Sequence, residues 1–472
     1  MNNILTLLEH NPYHAKIFRD AGILGDQLGF PVYLVGGYVR DLFLGRPNKD
    51  IDLMVEGDGV AFAHQFASRL GIHNIVVYEK FKTALIPYDG MEIEVATSRT
   101  EIYHPDSRKP EVTAASVKED LSRRDFTVNA MAVSLSPGNY GDISDPFGGI
   151  QDIQKRVLRT PLAPDDTFSD DPLRMMRAAR FAAQLEFEIV PEVFQAILRQ
   201  KDRLPIISRE RVTEEIIKTL KTNTPSRGFL VMKEGGLLQT AFPELDIMSG
   251  VDVIDGKGHK DVFLHTLQVV DNTAKLTPKM EVRFAALVHD IAKPRTKRFQ
   301  KSKGWTFHGH EEIGKRMLLH VGKRMKLSKD LRDYLMKMTK LHLRPIALAK
   351  KEITDSAIRR VMFEAGEDID DLMTLCRADI TTKNSTKVKQ YIANFDRVEV
   401  MMQDVQLRDE MRKFQSPVRG DVIMKELKLQ PGPIIGKIKT AVEEAILDGV
   451  IKNTYDAAFQ FIMENWGNKD NL

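Results

Sequence analysis

Residues 32–55, VYLVGGYVRDLFLGRPNKDIDLMV, constrain the fold of this chain more tightly than any other stretch. One apolar run ends on two adjacent glycines, and a second carries two alternating carboxylates. The pattern predicts a buried strand over Val32–Val35, a tight turn at Gly36–Gly37, a short helix over Tyr38–Leu44 and a second strand over Lys49–Val55. Side chains on a strand return to one face every second residue, so Asp50 and Asp52 point together. Two carboxylates held that way repel unless a cation lies between them. Glycines ahead of a helix let backbone N–H groups approach a phosphate closely. Carboxylate-held Mg²⁺ beside a phosphate cradle is the apparatus of phosphoryl or nucleotidyl transfer. MEIEVATSR sets Glu92 and Glu94 on one face of another strand, and Glu94 is the candidate third carboxylate of a two-metal site. Taken alone, that pair fits a solvated strand face equally well.

Strand-like segments alternate with helices from about 32 to 158, a small α/β domain, and beyond about 160 the pattern is helical almost throughout. TEIYHPDSRKPEVTAAS (100–116) reads as a mobile loop near the site, and IMSGVDVIDGKGHKD (247–261) as a loop-like break. A chain of 472 residues has room for two to four domains. The net charge of +3 makes any nucleic-acid surface local rather than global. Cys376 is the one cysteine, so no intrachain disulfide can form, and a reducing, cytoplasmic location is expected. No run approaches the roughly 18–20 apolar residues of a membrane span, so no membrane partner is expected.

SDDPLRMMRAARFA (169–182) carries a second pattern. On a helix Asp171 and Arg174 are i,i+3 neighbours, and Met175, Ala178, Ala179 and Ala182 form a buried stripe. An acceptor-only carboxylate beside a donor-only guanidinium matches the amino donor and ring-nitrogen acceptor that cytosine and adenine share. Guanine and uracil present the reverse order. An intrahelical salt bridge is the plainer account of the same pair.

LVGGYVRDLFLGRPNKDIDL resembles the signature of class II tRNA nucleotidyltransferases and bacterial poly(A) polymerases, members of the polymerase-β-like superfamily. SRRDFTVNAMA (122–132), DPFGGIQDI (145–153), the 169–182 block and SRERVTEEI (208–216) resemble the family's later motifs in the family's order. The resemblance implies that Gly36, Gly37, Arg40 and Asp41 hold a triphosphate, and that Asp50 and Asp52 bind Mg²⁺. It also implies that Arg124, Asp125 and Asn129 contact the phosphates, the ribose or the local frame. Asp171 and Arg174 would select the nucleotide, and Arg177 and Arg180 would join them in binding it. The family often has Glu-Asp where this chain has Asp170–Asp171, a change that keeps the charge.

Downstream, HTLQVVDN, RFAALVHDIAKP, FHGHEEIG, TKLHLRP and CRADITTKN resemble an HD-type metal phosphohydrolase domain. By that resemblance His265, His289, Asp290 and Asp379 hold one metal, and His310 and His342 a second. Each histidine alone fits a satisfied core residue. Mixed imidazole and carboxylate ligands favour Mn²⁺, Ni²⁺ or a similar ion over Mg²⁺. Basic runs at 295–303 and 323–340 fit solvated faces or RNA contacts. SPVRGDVIMKELKLQPGPIIGKI resembles the tRNA-binding tail of such enzymes, with Gly432 and Gly436 permitting close approach to phosphates.

The expectation is an α/β nucleotidyltransferase head (1–158) followed by an all-α neck (159–250), an HD domain (251–384) and a helical tail (385–472). Its substrates would be tRNA, CTP and ATP, with C, C and A added to tRNA 3′ ends. A poly(A) polymerase or a CC-only or A-only enzyme is the nearest alternative. An HD phosphohydrolase with a nucleotide-binding head is the alternative from another class.

Overall fold

Val32, Leu34 and Val35 are buried at the centre of a seven-stranded sheet. Strands β1 (Val32–Val35), β2 (Asp50–Val55), β3 (Val76–Tyr78), β4 (Thr83–Tyr88) and β5 (Met91–Thr97) form most of it. A separate ribbon, β6 (Arg99–Ile102) with β7 (Glu111–Ala114), precedes β8 (Ala132–Ser134) and β9 (Ile143–Ser144). The sheet order is β3-β4-β5-β2-β1-β8-β9, in which β2 and β5 run parallel and the other neighbours antiparallel. A parallel pair needs a crossover. Helix Gly59–Arg69 supplies part of it, capped by the Asp58 carboxylate and burying Phe62, Ala63, Phe66 and Ala67. The structure is a computed structural model that describes residues 3–102, 111–348, 354–382, 384–413, 416–447 and 450–467.

Two sequence expectations change here. The 100–116 loop is not unstructured at its ends, because Arg99–Ile102 pairs with Glu111–Ala114; residues 103–110 lie outside the described residues. The 247–261 break holds a small ribbon, Val253–Ile254 paired with Lys257–Gly258.

The chain divides into two compact units: residues 1–342 with 370–381, and residues 343–369 with 382–472. In the first, helix Leu173–Leu185 packs against Arg209–Leu220 and Pro225–Glu234. Farther on, Val262–Leu276 packs on Met280–Val288, which also meets Lys329–Leu341, and that helix packs on His310–Arg324. The second unit is helical, with a core of Val418, Ile423, Ile438, Val442, Ala458 and Ile462. Among the described residues no helix is long and apolar enough to cross a membrane.

Candidate active site and metal centre

The Gly36–Gly37 turn is dictated by its neighbours. Gly36 has φ +70° and ψ −136°, which side chains disfavour. A Cβ there would stand 3.0 Å from Asp52 Oδ2 and 3.1 Å from Arg124 Nη1. The chain then enters helix Gly37–Leu44, which carries Arg40 and Asp41. Parallel pairing of β2 with β5 sets Asp50 opposite Glu92 and Asp52 opposite Glu94. Burial, then Glu94, pushes the Asp52 carboxyl up to about 6, and Arg124 and Arg40 oppose the shift. A buried carboxyl pushed up in this way fits a site for a cation, and Asp52, with Asp50 and Glu94 on the same face of the paired strands, would hold it.

A chain of buried polar contacts runs on from this cluster. Arg40 clasps Asp41 through Nε (2.9 Å) and Nη2 (3.0 Å), and its Nη1 donates to Asn129 Oδ1 at 2.7 Å. Asn129 Nδ2 donates to Asp125 Oδ1 at 2.9 Å, and Arg177 Nε donates to Asp125 Oδ2 at 2.7 Å. Burial works to raise the Asp125 carboxyl, but Arg177 and the Asn129 hydrogen bond outweigh it and hold it at about 2. Arg180 Nε donates to buried Glu215 at 2.6 Å, and its guanidinium lies 3.9 Å from the Phe181 ring centroid. Arg40 and Asp41 are buried in this network, so in this structure they fix the frame beneath the glycine turn.

Asp171 departs from the expected helix. Helix Pro164–Asp170 ends before it, Asp171 is extended (φ −138°, ψ 100°), and a new helix begins at Leu173. The cause is Pro172, whose ring disfavours helical geometry in the preceding residue. Asp171 Oδ1 accepts from Leu173 N at 3.0 Å, while Arg211 Nη2 donates to Oδ2 at 2.8 Å. Arg174 is buried and donates to the carbonyls of Thr167 (3.2 Å) and Arg123 (2.5 Å). Each guanidinium has five N–H groups and each carboxylate oxygen two acceptor positions, so both side chains keep capacity for a base. Every head and neck candidate named from the sequence lines one cleft of about 1020 Å³.

Sequence reasoning missed four contributors to this cleft or its support. Asn48 ties Asp41 to the start of β2, accepting from Asp50 N and donating to Asp41 Oδ2. Asp120 holds both Arg123 (2.7 Å) and Arg124 (3.1 Å). Arg211 and Glu215 anchor Asp171 and Arg180 from another helix. The 208–216 block contained the last two, but nothing in it distinguished them from solvated charges.

The second constellation converges on Asp290. Its Oδ2 lies 3.2 Å from His289 Nε2 and 3.5 Å from His265 Nε2, and Asp379 Oδ1 lies 3.0 Å from the latter. The other oxygen, Oδ1, lies 3.2 Å from His310 Nε2 and 3.8 Å from His342 Nε2. Two ligand groups result: His265, His289 and Asp379 on one side, and Asp290, His310 and His342 on the other. Nδ1 of His289, His310 and His342 faces a backbone carbonyl at 2.8, 2.8 and 2.7 Å. Donation from Nδ1 leaves the Nε2 lone pair for a metal. His289 Nε2 is buried and, although Asp290 Oδ2 is 3.2 Å away, makes no well-aligned hydrogen bond, which fits a metal ligand. Burial lowers His342 to about 4, so its imidazole is neutral. His308 is exposed and belongs to neither group. Cys376 is buried and donates through Sγ to the His342 carbonyl at 3.1 Å, a packing role rather than ligation.

Three family models match in order: the Poly A polymerase head domain over residues 32–159, the probable RNA and SrmB-binding site of polymerase A over 186–248, and the HD domain over 262–400. An A-adding tRNA nucleotidyltransferase of Geobacter sulfurreducens is 36% identical over 55% of this chain and 28% of its own length. The multifunctional CCA protein of Pseudoalteromonas atlantica is 34% identical over 76% of this chain and 88% of its own. Among solved structures, a CCA-adding enzyme in an apo form superposes with a TM-score of 0.61 at 23% identity, covering 100% of this chain and 99% of that one. The Thermotoga maritima CCA-adding enzyme complexed with tRNA gives a TM-score of 0.59 at 23% identity, covering 98% of each chain. Those two structural likenesses speak to the fold, whereas the Pseudoalteromonas match spans most of both sequences, and by it the chain belongs to the family of multifunctional CCA proteins.

Proposed function

We propose that this protein adds C, C and A to tRNA 3′ ends from CTP and ATP without a nucleic-acid template. The observation that carries the reading is the single cleft joining the Gly36 turn, the Asp50, Asp52 and Glu94 carboxylates, and the Asp171 and Arg174 pair. Gly37 and Arg124 bound the triphosphate, and Arg40, Asp41, Asp125 and Asn129 hold that wall in place. The tRNA 3′-oxygen bonds to the α-phosphorus of the nucleotide, the bond to the β-phosphate oxygen breaks, and pyrophosphate leaves. Mg²⁺ at Asp50 and Asp52 would supply charge neutralisation and hydroxyl activation. Asp171 accepts from the exocyclic amino group of C or A, and Arg174 donates to the adjacent ring nitrogen. Arg177 and Arg180 fix that face through Asp125 and Glu215. The parts of the chain divide into head, neck, HD domain and tail on this reading, and the cytoplasm is where the enzyme acts.

The test supplies tRNAs ending before the first C, before the second C and before A, each with one labelled nucleotide. C on the first two, A on the third and no incorporation of G or U is the expected result. Repeated A on every substrate would make the protein a poly(A) polymerase, and activity on one class of end alone would make it a CC-only or A-only enzyme.

The Asp290 cluster favours a second activity, metal-dependent hydrolysis of phosphoesters. His265, His289, Asp290, Asp379, His310 and His342 would hold Mn²⁺, Ni²⁺ or a similar ion, whose bound water is a nucleophile near neutral pH. Release of phosphate from substrates bearing a 2′,3′-cyclic phosphate or a phosphomonoester tests it. Protein that binds neither metal and cleaves neither ester would leave these helices a structural role.

A further inference from the structure

Two short ribbons adjoin the histidine cluster. Val253–Ile254 pairs with Lys257–Gly258, Arg298–Gln300 pairs with Gly304–Thr306, and the ribbons touch through Lys257–Gly258 and Gly304–Thr306. They are pinned together by Trp305 Nε1 donating to the Lys257 carbonyl (2.9 Å) and Lys257 Nζ donating to the Lys301 carbonyl (3.2 Å). Between them stands a ladder of rings. Trp305 meets His259 edge-on at 5.3 Å between centroids, and His259 meets Phe307 at 5.8 Å. Lys293 Nζ lies 5.7 Å from the Phe307 centroid and 2.5 Å from Asp290 Oδ2. The Phe307 carbonyl also faces His310 Nδ1 at 2.8 Å. The ladder is thus tied to two members of the candidate metal centre.

The segment beneath it carries only positive charge of its own, with Asp252 and Asp290 pairing Lys297 and Lys293 from neighbouring segments. Residues 293–308, KPRTKRFQKSKGWTFH, contain six Lys or Arg and no carboxylate. Arg298, Lys301 and Lys303 are exposed and are the cations offered to phosphates, while Lys297, ion-paired with Asp252, lies with its Nζ 5.5 Å from the partly exposed Trp305 ring. Solvated lysines need no aromatic scaffold, whereas a strand of nucleotides needs both: cations for its phosphates and π-faces for its bases. A duplex keeps its bases stacked on one another and would leave the rings unused.

We propose that the Trp305–His259–Phe307 ladder and its lysines form a platform for single-stranded RNA 3′ ends, feeding a terminal phosphoester toward Asp290, His310 and His342. The proposal rests on the hydrolase reading for its destination, but its binding step stands apart from it.

The chain has two tryptophans, so Trp466→Phe leaves Trp305 as the only tryptophan emitter in the full-length protein, excited where tyrosine does not absorb. A single-stranded RNA oligonucleotide with a 3′-phosphate should quench that emission saturably, and inorganic phosphate should not. Lys301→Ala with Lys303→Ala should raise the quenching midpoint at least about fivefold and lower the slope of log affinity against log salt by about 1.4, for two lost phosphate contacts. Unchanged Trp305 emission, whether the labelled oligonucleotide binds elsewhere by anisotropy or not at all, would overturn the platform. Equal quenching by blunt duplex RNA, or quenching indifferent to the lysine pair, would do the same. Phosphate release by the Mn²⁺-loaded protein is scored separately: quenching without release keeps the platform and removes the hydrolase.

Discussion

Arg177 Nη2 stands 2.6 Å from Asp125 Oδ2, joining the helix that carries Arg174 to the segment that precedes β8. Asp125 is depressed to about 2 in the folded chain, below its ordinary value of 3.8. A depressed carboxyl contributes stability above its unfolded value and loses it as pH falls through the folded one. That contribution is therefore complete above about pH 4 and disappears between about pH 4 and 2. Asp125→Asn should cost about 2 kcal/mol near neutral pH, by 1.36 kcal/mol per pKa unit, and less at pH 2.5. Urea titrations at the two pH values measure the difference.

Removing Asp171 and Arg174 together, as Asp171→Ala with Arg174→Ala, should abolish nucleotide selection while circular dichroism stays native. Each mispaired polar group costs about 1–3 kcal/mol, so preference for CTP and ATP over UTP and GTP should fall by factors of roughly 5 to 150 per lost contact. Arg211→Ala frees the Asp171 carboxylate from its protein partner and should weaken selection less. Unaltered preference in the double variant would remove the template role.

Asp52→Asn should reduce nucleotide addition by at least about 100-fold, since a metal supplies several kcal/mol of charge stabilisation. Hydrolysis at the Asp290 cluster should be unaffected, and Asp290→Asn should show the opposite pattern. Because the Asp52 carboxyl is pushed up to about 6, protons compete with the cation below that pH. Apparent Mg²⁺ affinity, followed by calorimetry, should fall as pH drops from 7 to 5.

The HD-type cluster should take up two Mn²⁺ or Ni²⁺ ions per chain beyond those of the head. His342→Ala should remove one, and His265→Ala the other. Metal analysis of Asp52→Asn protein isolates this stoichiometry, and chelation should lower its melting temperature, because ions bound to the native state alone stabilise it.

Gly36→Ala tests the turn. The added Cβ meets Asp52 Oδ2 and Arg124 Nη1 at a backbone angle few side chains adopt. Nucleotide addition should be lost with melting lowered by a few degrees; full activity would mean that the turn tolerates displacement.

The strand–turn–helix–strand run was legible because its two signals, period-2 carboxylates and a glycine pair, are local. The helical spacing of 169–182 predicts one continuous helix through Asp171, but the Pro172 ring ends one helix and opens another there. Arg211 and Glu215 look like surface charges in sequence, and their importance comes from partners 40 and 35 residues away. Asp290 could be named as a ligand by resemblance, yet its position between both histidine groups depends on where four helices converge. The 100–116 stretch misled because proline and charge masked two segments whose pairing is with each other.

The rung formed by Asp52 and Glu94 across β2 and β5 also makes the head sensitive to a kind of damage unrelated to side-chain identity. Slipping one strand by a single residue would turn its whole row of carboxylates to the far side of the sheet. Deleting one residue from β2 or β5, with every acid retained in the gene, should silence the head as thoroughly as removing the acids themselves. The reading frame of the sheet is itself a determinant of catalysis.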